Sequence, residues 1–185
     1  MFILASQSPR RRELLQKVVP DFEVQPATID ERQVPVTAPA DYVQMLAQLK
    51  GESIAQKNPQ ATVLSADTVV SFQGTIYGKP HDRQDAAEML RQLSGSTHQA
   101  YTGVWLSIDG EIRKTVVQTD VTFWPLSHEM IETYLDTEEY RDKAGAYGIQ
   151  GQGSLLVEKI NGDFYNVVGL PISTVARLLT AKEAD

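Results

Sequence analysis

The sequence predicts a single α/β domain with a mixed β-sheet and flanking helices, and three observations lead to this fold class. Valine-rich segments of β-type composition alternate along the chain with segments whose apolar residues have helical spacing. Two-residue turn signals join several β-type segments into hairpins, which a purely parallel sheet does not contain. A chain of 185 residues with 42% hydrophobic residues can bury one sizeable core without metal or disulfide crosslinks.

The elements of the first third follow from local signals. Phe2 to Ala5 is a short apolar strand, and Ser8 and Pro9 predict a helix start with the serine as N-cap and the proline as first helical residue. The proline-containing stretch that follows predicts an irregular connection with at most one strand, near Phe22 to Val24. A helix from about Ala40 to Gln56 is predicted next, because its apolar residues fall on one side.

Hairpins and caps define the middle of the chain. Thr62 to Phe72 is a Val-rich strand, and Gln73-Gly74 predicts a turn into a short second strand. Asp82 can cap a helix from Arg83 to Leu93. Two long β-type segments then flank Asp109-Gly110, a strong hairpin signal.

The last third has the same kind of signals. Its predicted elements are a helix capped by Ser127 through Leu135, a glycine-rich connection from Gly145 to Gly153 and a final helix over Ile172 to Leu179. Asn161-Gly162 predicts one more hairpin, between strands at Leu155 to Ile160 and Phe164 to Val168.

Charge and composition exclude several classes of protein. The formal net charge of -7 argues against general nucleic-acid binding, which depends on Lys and Arg neutralising phosphates. The absence of cysteine excludes disulfides, thiol catalysis and thiolate zinc sites, and it fits a reducing cytoplasm. The N-terminus does not have the order of a signal peptide, and no apolar run approaches the roughly 20 residues of a membrane span. We therefore expect one compact, soluble, cytoplasmic domain without membrane contact.

The first candidate site is the cationic start of the first helix. Arg10, Arg11 and Arg12 follow the cap, although cations at a helix N-terminus cost about 0.3 to 1 kcal/mol each at exposed sites. With the Ser6 and Ser8 hydroxyls and free backbone N–H groups, these guanidinium groups would make a good phosphate site. A solvated basic turn accounts for the pattern equally well.

The second candidate is Asp67, a carboxylate that interrupts an otherwise apolar strand. A buried Asp needs a partner, and a metal ion, a lysine or an activated water could supply it. An Asp at a strand end that bonds a turn is the alternative. Because β-type residues continue beyond Asp67, the pattern favours a functional carboxylate.

Two lysines could hold phosphate as point charges. Lys50 shares the apolar side of its helix with Val43 and Leu46, and Lys79 lies in Gly78-Lys79-Pro80 just after the hairpin. The alternatives are an aliphatic stem that snorkels off an apolar stripe for Lys50 and an ordinary turn composition for Lys79.

The glycine-rich segment from Gly145 to Gly153 has four glycines in nine residues. Such a density implies close backbone approach to a ligand or a neighbouring chain. Gln150 could read a nucleobase edge and Tyr147 could stack on it, although a plain glycine-rich connection is the commoner explanation. No dinucleotide fingerprint, P-loop, nucleophile elbow or zinc-protease motif is present, and the scattered histidines are interpreted as surface or strand residues.

Four motifs together resemble one known family. They are Leu4-Ala5-Ser6-Gln7-Ser8-Pro9-Arg10-Arg11, then Ala66-Asp67-Thr68, then Gly78-Lys79-Pro80 and, from Asp142 to Gly151, Asp-Lys-Ala-Gly-Ala-Tyr-Gly-Ile-Gln-Gly. In this order they resemble the Maf family of nucleoside triphosphate pyrophosphatases over nearly the whole chain. One departure is Ser65, where relatives usually have glycine.

The resemblance implies a fold, an activity and an assembly. The fold would be that of the inosine triphosphatases (Maf/Ham1), with two lobes around a cleft, in a single Maf-like domain over residues 1–185. The activity would be hydrolysis of a nucleoside triphosphate to the monophosphate and pyrophosphate with Mg²⁺ or Mn²⁺, in a homodimer. The form of the last motif is similar to that of the branch acting on dTTP and UTP, a house-cleaning activity linked to cell-division control.

The resemblance also assigns roles to residues. Asp67 falls on the family's proton acceptor, and Glu31, Lys50 and Lys79 fall on further polar site positions. In the expected mechanism, Mg²⁺ or Mn²⁺ bridges phosphate oxygens to the metal ligands Glu31 or Asp67. Together with the phosphate-site candidates named above, the predicted substrate-binding residues are Ser6, Ser8, Arg10, Arg11, Lys50, Thr68, Lys79, Lys143 and Gln150. The resemblance links Arg10, Thr68 and Gln150 among them to substrate selection. In the expected mechanism, Asp67 deprotonates the water that attacks the α-phosphorus.

Two other functions remain open at the level of the sequence. One is a regulatory nucleotide-binding protein that acts on septum formation through a partner without turnover. The other is RNA binding through the arginine triplet, which the net charge and the lack of a flanking aromatic platform oppose. The natural substrate could be an ordinary pyrimidine triphosphate or a modified one such as 5-methyl-UTP or pseudo-UTP.

Overall fold

The computed structural model describes residues 1–181. The strands are β1 (Phe2–Leu4), β2 (Glu23–Val24), β3 (Thr62–Phe72), β4 (Thr75–Tyr77), β5 (Thr97–Ile108), β6 (Glu111–Phe123) and β7 (Val157–Asn161). The α-helices are α1 (Pro9–Leu15), α2 (Pro39–Ala55), α3 (Arg83–Leu93), α4 (His128–Leu135), α5 (Phe164–Val168) and α6 (Ile172–Thr180). Short 3₁₀ turns lie at Glu31–Gln33, Glu139–Asp142, Ala144–Ala146 and Gln152–Leu156.

The sheet is mixed, as the sequence predicts. Its strands are hydrogen bonded in the order β2-β1-β3-β5-β6-β7, and β4 pairs with β3. β1 runs parallel to both β2 and β3, whereas the β3–β4 and β6–β7 pairs are antiparallel. Parallel pairs need crossover connections and antiparallel pairs accept tight turns, which explains why the chain alternates helices with hairpins.

The chain divides into two compact units, each made of separate segments. Within the described residues, the first unit consists of Met1–Asp67, Thr102–Val117 and residues 169–181, and the second of Thr68–Tyr101 and Gln118–Val168. Strands β3, β5 and β6 each contain a boundary between the units, so each contributes residues to both.

In the first unit, β3 packs one of its faces on α2. Side chains alternate along a strand, so Val63, Ser65 and Asp67 share a face. Val63 lies in a buried cluster with Ala47 of α2, and Ser65 Oγ donates a hydrogen bond to the Ala47 carbonyl oxygen at 2.5 Å. The face of β3 that packs on α2 therefore includes the apolar Val63 and the carboxylate of Asp67.

The second unit has its own apolar core. α3 and α4 pack their apolar sides against the strands, and the core includes Leu90, Phe123, Ile131 and Tyr147, all at most 5% exposed. Burying an apolar side chain of this size stabilises the fold by roughly 1.5–3 kcal/mol.

Helix starts agree with the predicted caps. Ser8 Oγ accepts the Arg11 N–H at 3.4 Å, Asp82 accepts the Asp85 N–H at 2.8 Å, and Ser127 Oγ accepts the Met130 N–H at 3.1 Å. These side chains satisfy backbone donors that the first turn of a helix leaves unpaired.

The two predicted hairpin turns between β3 and β4 and between β5 and β6 are also present. Their central residues have positive φ, 50° and 79° at Gln73-Gly74 and 50° and 84° at Asp109-Gly110. Positive φ at both positions gives the turn the twist that two-residue hairpins need.

The predicted hairpin at Asn161-Gly162 is wrong. The first strand is β7, which starts at Val157, but Phe164 to Val168 is the helix α5 and not a second strand. Asp163 provides the reason, because its carboxylate accepts the N–H groups of Tyr165 at 2.8 Å and Asn166 at 3.3 Å. A helix cap therefore overrides the turn signal.

None of the helices within residues 1–181 combines the length and the apolar character needed to cross a membrane.

Candidate active site

Lys50 joins two carboxylates in the first unit. Its Nζ lies 2.5 Å from Oδ1 of Asp67 and 2.8 Å from Oε1 of Glu31. The Lys50 and Asp67 side chains are only 16% and 12% exposed, whereas Glu31 is 52% exposed. Three residues that the sequence predicts as site residues are thus brought together, and the partner that a buried Asp67 requires is a lysine.

The elements explain why these side chains meet. Asp67 lies on the face of β3 that packs on α2, and Lys50 follows Ala47 by three residues on the facing side of that helix. Glu31 begins the 3₁₀ turn Glu31–Gln33, whose N-cap is Asp30. A strand, a helix and a capped turn therefore each contribute one charged side chain to this group.

Arg11 connects the start of α1 to the rest of the first unit. Its Nε donates to the Gly169 carbonyl oxygen at 2.8 Å, and its Nη1 donates to Ser6 Oγ at 3.4 Å. Ser6 Oγ also accepts the Ser8 N–H at 3.2 Å. The structure thus brings together Arg11, Ser6 and Ser8. Arg10, which directly precedes Arg11 in α1, is half-buried.

The two central cations are influenced by the same carboxylates. Burial alone would lower the pKa of Lys50, but its ion pairs with Asp67 and Glu31 outweigh burial and raise it. Burial lowers the pKa of Arg11, and Asp67 acts in the opposite direction. An arginine stays protonated at neutral pH in any case, so both groups are positive.

Sequence reasoning missed Tyr42. Burial, followed by the charges of Glu31 and Asp67, raises the pKa of its phenol, and Lys50 acts against them. Tyr42 therefore lies within electrostatic range of the charged group. Its position two helical turns before Lys50 on the same side of α2 is the signal that could have identified it.

The carboxylates fit a divalent cation that is shared with a phosphate. Asp67 Oδ1 and Glu31 Oε1 both bond Lys50 Nζ, so they lie within two hydrogen-bond lengths of each other. Among residues 1–181, no three His, Cys, Asp or Glu side chains are grouped to hold a metal. Mg²⁺ is commonly bound by one or two carboxylates plus substrate phosphates, so this pair is a suitable donor set.

The remaining predicted site residues lie in the second unit. Thr68 follows Asp67 directly in β3, Lys79 is exposed after β4, and Gln150 is exposed in the glycine-rich segment. Lys143 Nζ donates to the Glu139 carbonyl oxygen at 2.6 Å and contacts the Asp142 carboxylate at 3.0 Å. Their roles toward a substrate stay predictions.

The sequence predicts that a ligand or a neighbouring chain segment closely approaches the glycines after Lys143. In the structure, the atoms close to them belong to other residues of the same unit. A Cβ at Gly148 would overlap the Lys143 side chain, one at Gly151 the Glu139 carboxylate and one at Gly153 the Gly148 backbone. Gly145, with φ 70°, packs on the Val70 side chain. These glycines therefore allow the segment to fold tightly on itself and on β3.

His98 is a strand residue, as interpreted from sequence, and it is fully buried. Its Nε2 lies 2.7 Å from Tyr147 Oη, and its ring packs edge-on against Phe123 and Tyr147. Burial lowers the pKa of His98 to about 4, so the ring is neutral at physiological pH.

Comparison with known proteins identifies the family. The family model described as Maf-like protein matches residues 1–182. The chain belongs to the Maf family. Among its Maf relatives, the dTTP/UTP pyrophosphatase of Latilactobacillus sakei subsp. sakei (strain 23K) is 72% identical over 179 residues, 97% of this chain and 99% of the relative. The protein of the same name from Lacticaseibacillus casei (strain BL23) is 58% identical over 183 residues, 98% and 99% of the two chains.

A solved structure confirms the predicted fold of this Maf protein. The HAM1 protein from Coxiella burnetii matches with a TM-score of 0.52 over 97% of this chain and 98% of that one. The identity is 13%, so the likeness concerns the fold alone.

Proposed function

We propose that this Maf protein hydrolyses dTTP and UTP to the monophosphate and pyrophosphate. The observation that carries the proposal is the buried Asp67 held by Lys50 together with Glu31, in a chain 72% identical to a protein named for this activity. A carboxylate fixed by a lysine is a suitable proton acceptor for water.

The reaction needs one base and several cations. A water oxygen bonds to the α-phosphorus, the bond from that phosphorus to the bridging oxygen breaks, and pyrophosphate leaves with the electron pair. Asp67 accepts the proton that the water loses. Lys50 keeps the Asp67 carboxylate oriented, because its Nζ contacts Oδ1 at 2.5 Å.

Phosphate binding is proposed for the basic start of α1. A triphosphate carries about four negative charges, and guanidinium groups bind phosphate oxygens through charge-assisted hydrogen bonds. Arg11 is held in place by Ser6 and the Gly169 carbonyl, so its charge is preorganised. Arg10, Ser8 and the exposed Lys79 are proposed as further phosphate contacts.

Glu31 and Asp67 are the proposed ligands of Mg²⁺ or Mn²⁺. Lys50 contacts one oxygen of each carboxylate, so each has a second oxygen for a cation. When bound, such an ion neutralises phosphate charge on the substrate and on the departing pyrophosphate.

Base selection is proposed for the second unit. Gln150 is exposed and has both a donor and an acceptor, so it can pair with the edge of a pyrimidine. Thr68 and Lys143 stay predicted substrate-binding residues. We further propose that the protein acts on modified pyrimidine triphosphates, has a link to cell division, forms a homodimer and is located in the cytoplasm.

A triphosphate panel tests the activity. The purified protein is incubated with Mg²⁺ and each of dTTP, UTP, 5-methyl-UTP, pseudo-UTP, dCTP, dATP and dGTP, and pyrophosphate is measured. We expect release from dTTP and UTP well above that from the purine nucleotides. Pyrophosphate release from none of them would overturn the proposal, and release of inorganic phosphate alone would show cleavage at a different bond.

A further inference from the structure

Two backbone N–H groups on either side of Gln150 are held by side chains of the preceding segment. The Gly148 N–H donates to Tyr134 Oη at 3.2 Å. The Gln152 N–H donates to the Glu139 carboxylate, at 2.9 Å from Oε2 and 3.2 Å from Oε1. The exposed Gln150 therefore projects from a backbone that is fixed two residues before it and two residues after it.

Glu139 is itself fixed at both of its backbone groups. Its N–H donates to Thr137 Oγ1 at 3.2 Å, and its carbonyl oxygen accepts from Lys143 Nζ at 2.6 Å. Its carboxylate fits against Gly151 because that residue has no Cβ. The backbone position from which the Glu139 carboxylate reaches Gln152 is thus defined on both sides.

These hydrogen bonds to the Gly148 and Gln152 N–H groups matter because glycines give the backbone around Gln150 conformational freedom. Gly148, Gly151 and Gly153 have more conformational freedom to lose than other residues, so the backbone around Gln150 would sample many states without a constraint. A side chain that selects a ligand through directional hydrogen bonds must be held in its productive orientation before binding. The carboxylate of Glu139 supplies that constraint through the backbone, not by touching the ligand.

We infer that Glu139 is a positioning residue for Gln150 and so sets selectivity for the pyrimidine base. The inference rests on the proposed function, because it takes Gln150 as the residue that reads the base. It predicts an effect on discrimination between nucleotides and on KM, with a smaller effect on kcat.

The test is a double-mutant cycle that combines Glu139→Ala with Gln150→Ala. We expect Glu139→Ala to reduce the ratio of kcat/KM for dTTP over dATP by about tenfold, roughly the loss expected for a charge-assisted hydrogen bond. In the Gln150→Ala background the same substitution should change the ratio less than about twofold, because the residue being positioned is absent. Glu139→Gln, which keeps a carbonyl acceptor, should recover part of the selectivity.

Two further measurements separate positioning from a merely structural role. Thermal unfolding of each variant reports stability, and Glu158→Ala removes an exposed glutamate of the same unit as a charge control. An unchanged selectivity ratio in Glu139→Ala would overturn the inference. Equal losses in the presence and absence of Gln150 would overturn it as well, because they would show that Glu139 does not act through Gln150.

Binding measurements keep this result distinct from the fate of the proposed function. Calorimetric titration of dTTP and dATP gives selectivity as a ratio of dissociation constants, measured in the Asp67→Asn background wherever the protein with Asp67 turns the nucleotide over. If the wild-type protein binds dTTP selectively through Glu139 but releases no pyrophosphate, the proposed function fails and the inference stands. If it releases pyrophosphate and Glu139→Ala is as selective as the wild type, the inference alone fails.

Discussion

Two basic side chains with little exposure, one in each unit, have different electrostatic surroundings. Lys50 in the first unit faces Asp67 and Glu31, and its pKa is raised although burial acts to lower it. His98 in the second unit packs against the rings of Phe123 and Tyr147, and burial lowers its pKa to about 4.

The difference shows what each unit is built to do with charge. A buried basic group keeps its proton where nearby opposite charges outweigh the cost of desolvation. It gives up its proton where only neutral groups surround it. The first unit therefore concentrates charged side chains, as the proposed chemistry on phosphates requires, whereas the second surrounds His98 with neutral groups and holds its glycine-rich segment by hydrogen bonds to backbone N–H groups.

The largest expected effect comes from neutralising the central carboxylate of the first unit. Asp67→Asn should lower pyrophosphate release from dTTP by about 10³-fold, because loss of a general base typically costs 10²–10⁴-fold. Binding and fold should survive, since Lys50 keeps its contact with Glu31. Asp109→Asn at the exposed hairpin turn, where asparagine suits the positive φ, is the matched control. Near wild-type turnover of Asp67→Asn would remove Asp67 from the mechanism.

A change of pH tests the neutral core of the second unit. His98 binds a proton more weakly in the folded than in the unfolded chain, where its pKa is ordinary at 6.5. Its contribution to stability is therefore complete above pH 6.5 and is lost as the pH falls toward 4, by at most about 3 kcal/mol. Urea unfolding of wild type and His98→Gln between pH 7 and pH 4 measures this.

The two proteins should differ in slope. Wild type loses stability on acidification faster than His98→Gln, because the variant has no ring to protonate. Parallel curves for the two proteins would show that folding does not change the pKa of His98, and the contrast with Lys50 would then lose its basis.

Removing the Lys50 cation that joins Asp67 and Glu31 should have a smaller effect on stability than protonation of His98. Lys50→Met leaves Asp67 and Glu31 close together without their shared partner, which we expect to cost about 2 kcal/mol at pH 7, less than for a fully buried pair because Glu31 is half exposed. Because folding raises the pKa of Lys50 above 10.5, its ion pairs contribute fully below that pH and are lost as the pH rises toward the folded value, so the deficit should shrink in strongly alkaline solution. Lys57→Met, at an exposed position just after α2, is the control. A deficit independent of pH would mean lost packing and not lost charge.

The smallest expected effect concerns Ser65, the departure from the family pattern. Ser65 lies two residues before Asp67 on the same face of β3, and its hydroxyl donates a hydrogen bond to the Ala47 carbonyl oxygen of α2. Ser65→Ala should reduce the free energy of unfolding by about 1 kcal/mol and change kcat less than twofold. Urea unfolding and dTTP turnover check both expectations. A tenfold fall in kcat with unchanged stability would instead place Ser65 among the residues that orient Asp67.

The sequence alone indicates two members of the charged group, because each breaks a local rule, whereas Glu31 was identified only through the family resemblance. Asp67 interrupts an apolar strand, and Lys50 interrupts the apolar side of a helix, and both are indeed poorly exposed. Most helix and turn positions were predictable for a related reason. Caps such as Asp82 and turns such as Asp109-Gly110 act within a few residues, so the local sequence contains their physical cause.

What the sequence could not predict depends on contacts between distant segments. That Lys50 would bond both Asp67 and Glu31 requires the packing of β3 on α2, and that Tyr42 would lie near them requires the same packing. The hairpin predicted at Asn161-Gly162 failed for a different reason. Two local signals competed there, and the cap formed by Asp163 prevailed.

Close packing against Gly148, Gly151 and Gly153 has a consequence for sequence variation. A Cβ at Gly153 would overlap the Gly148 backbone, whereas a Cβ at Gly148 or Gly151 would meet the end of the Lys143 or Glu139 side chain, and Gln150 and Gln152 are exposed. A saturation library across the segment should therefore be most restricted at residue 153, less restricted at residues 148 and 151, where a neighbouring side chain has to move, and most permissive at residues 150 and 152. Residue 150 could then be diversified to seek new nucleotide preferences while the scaffold that presents it stays unchanged.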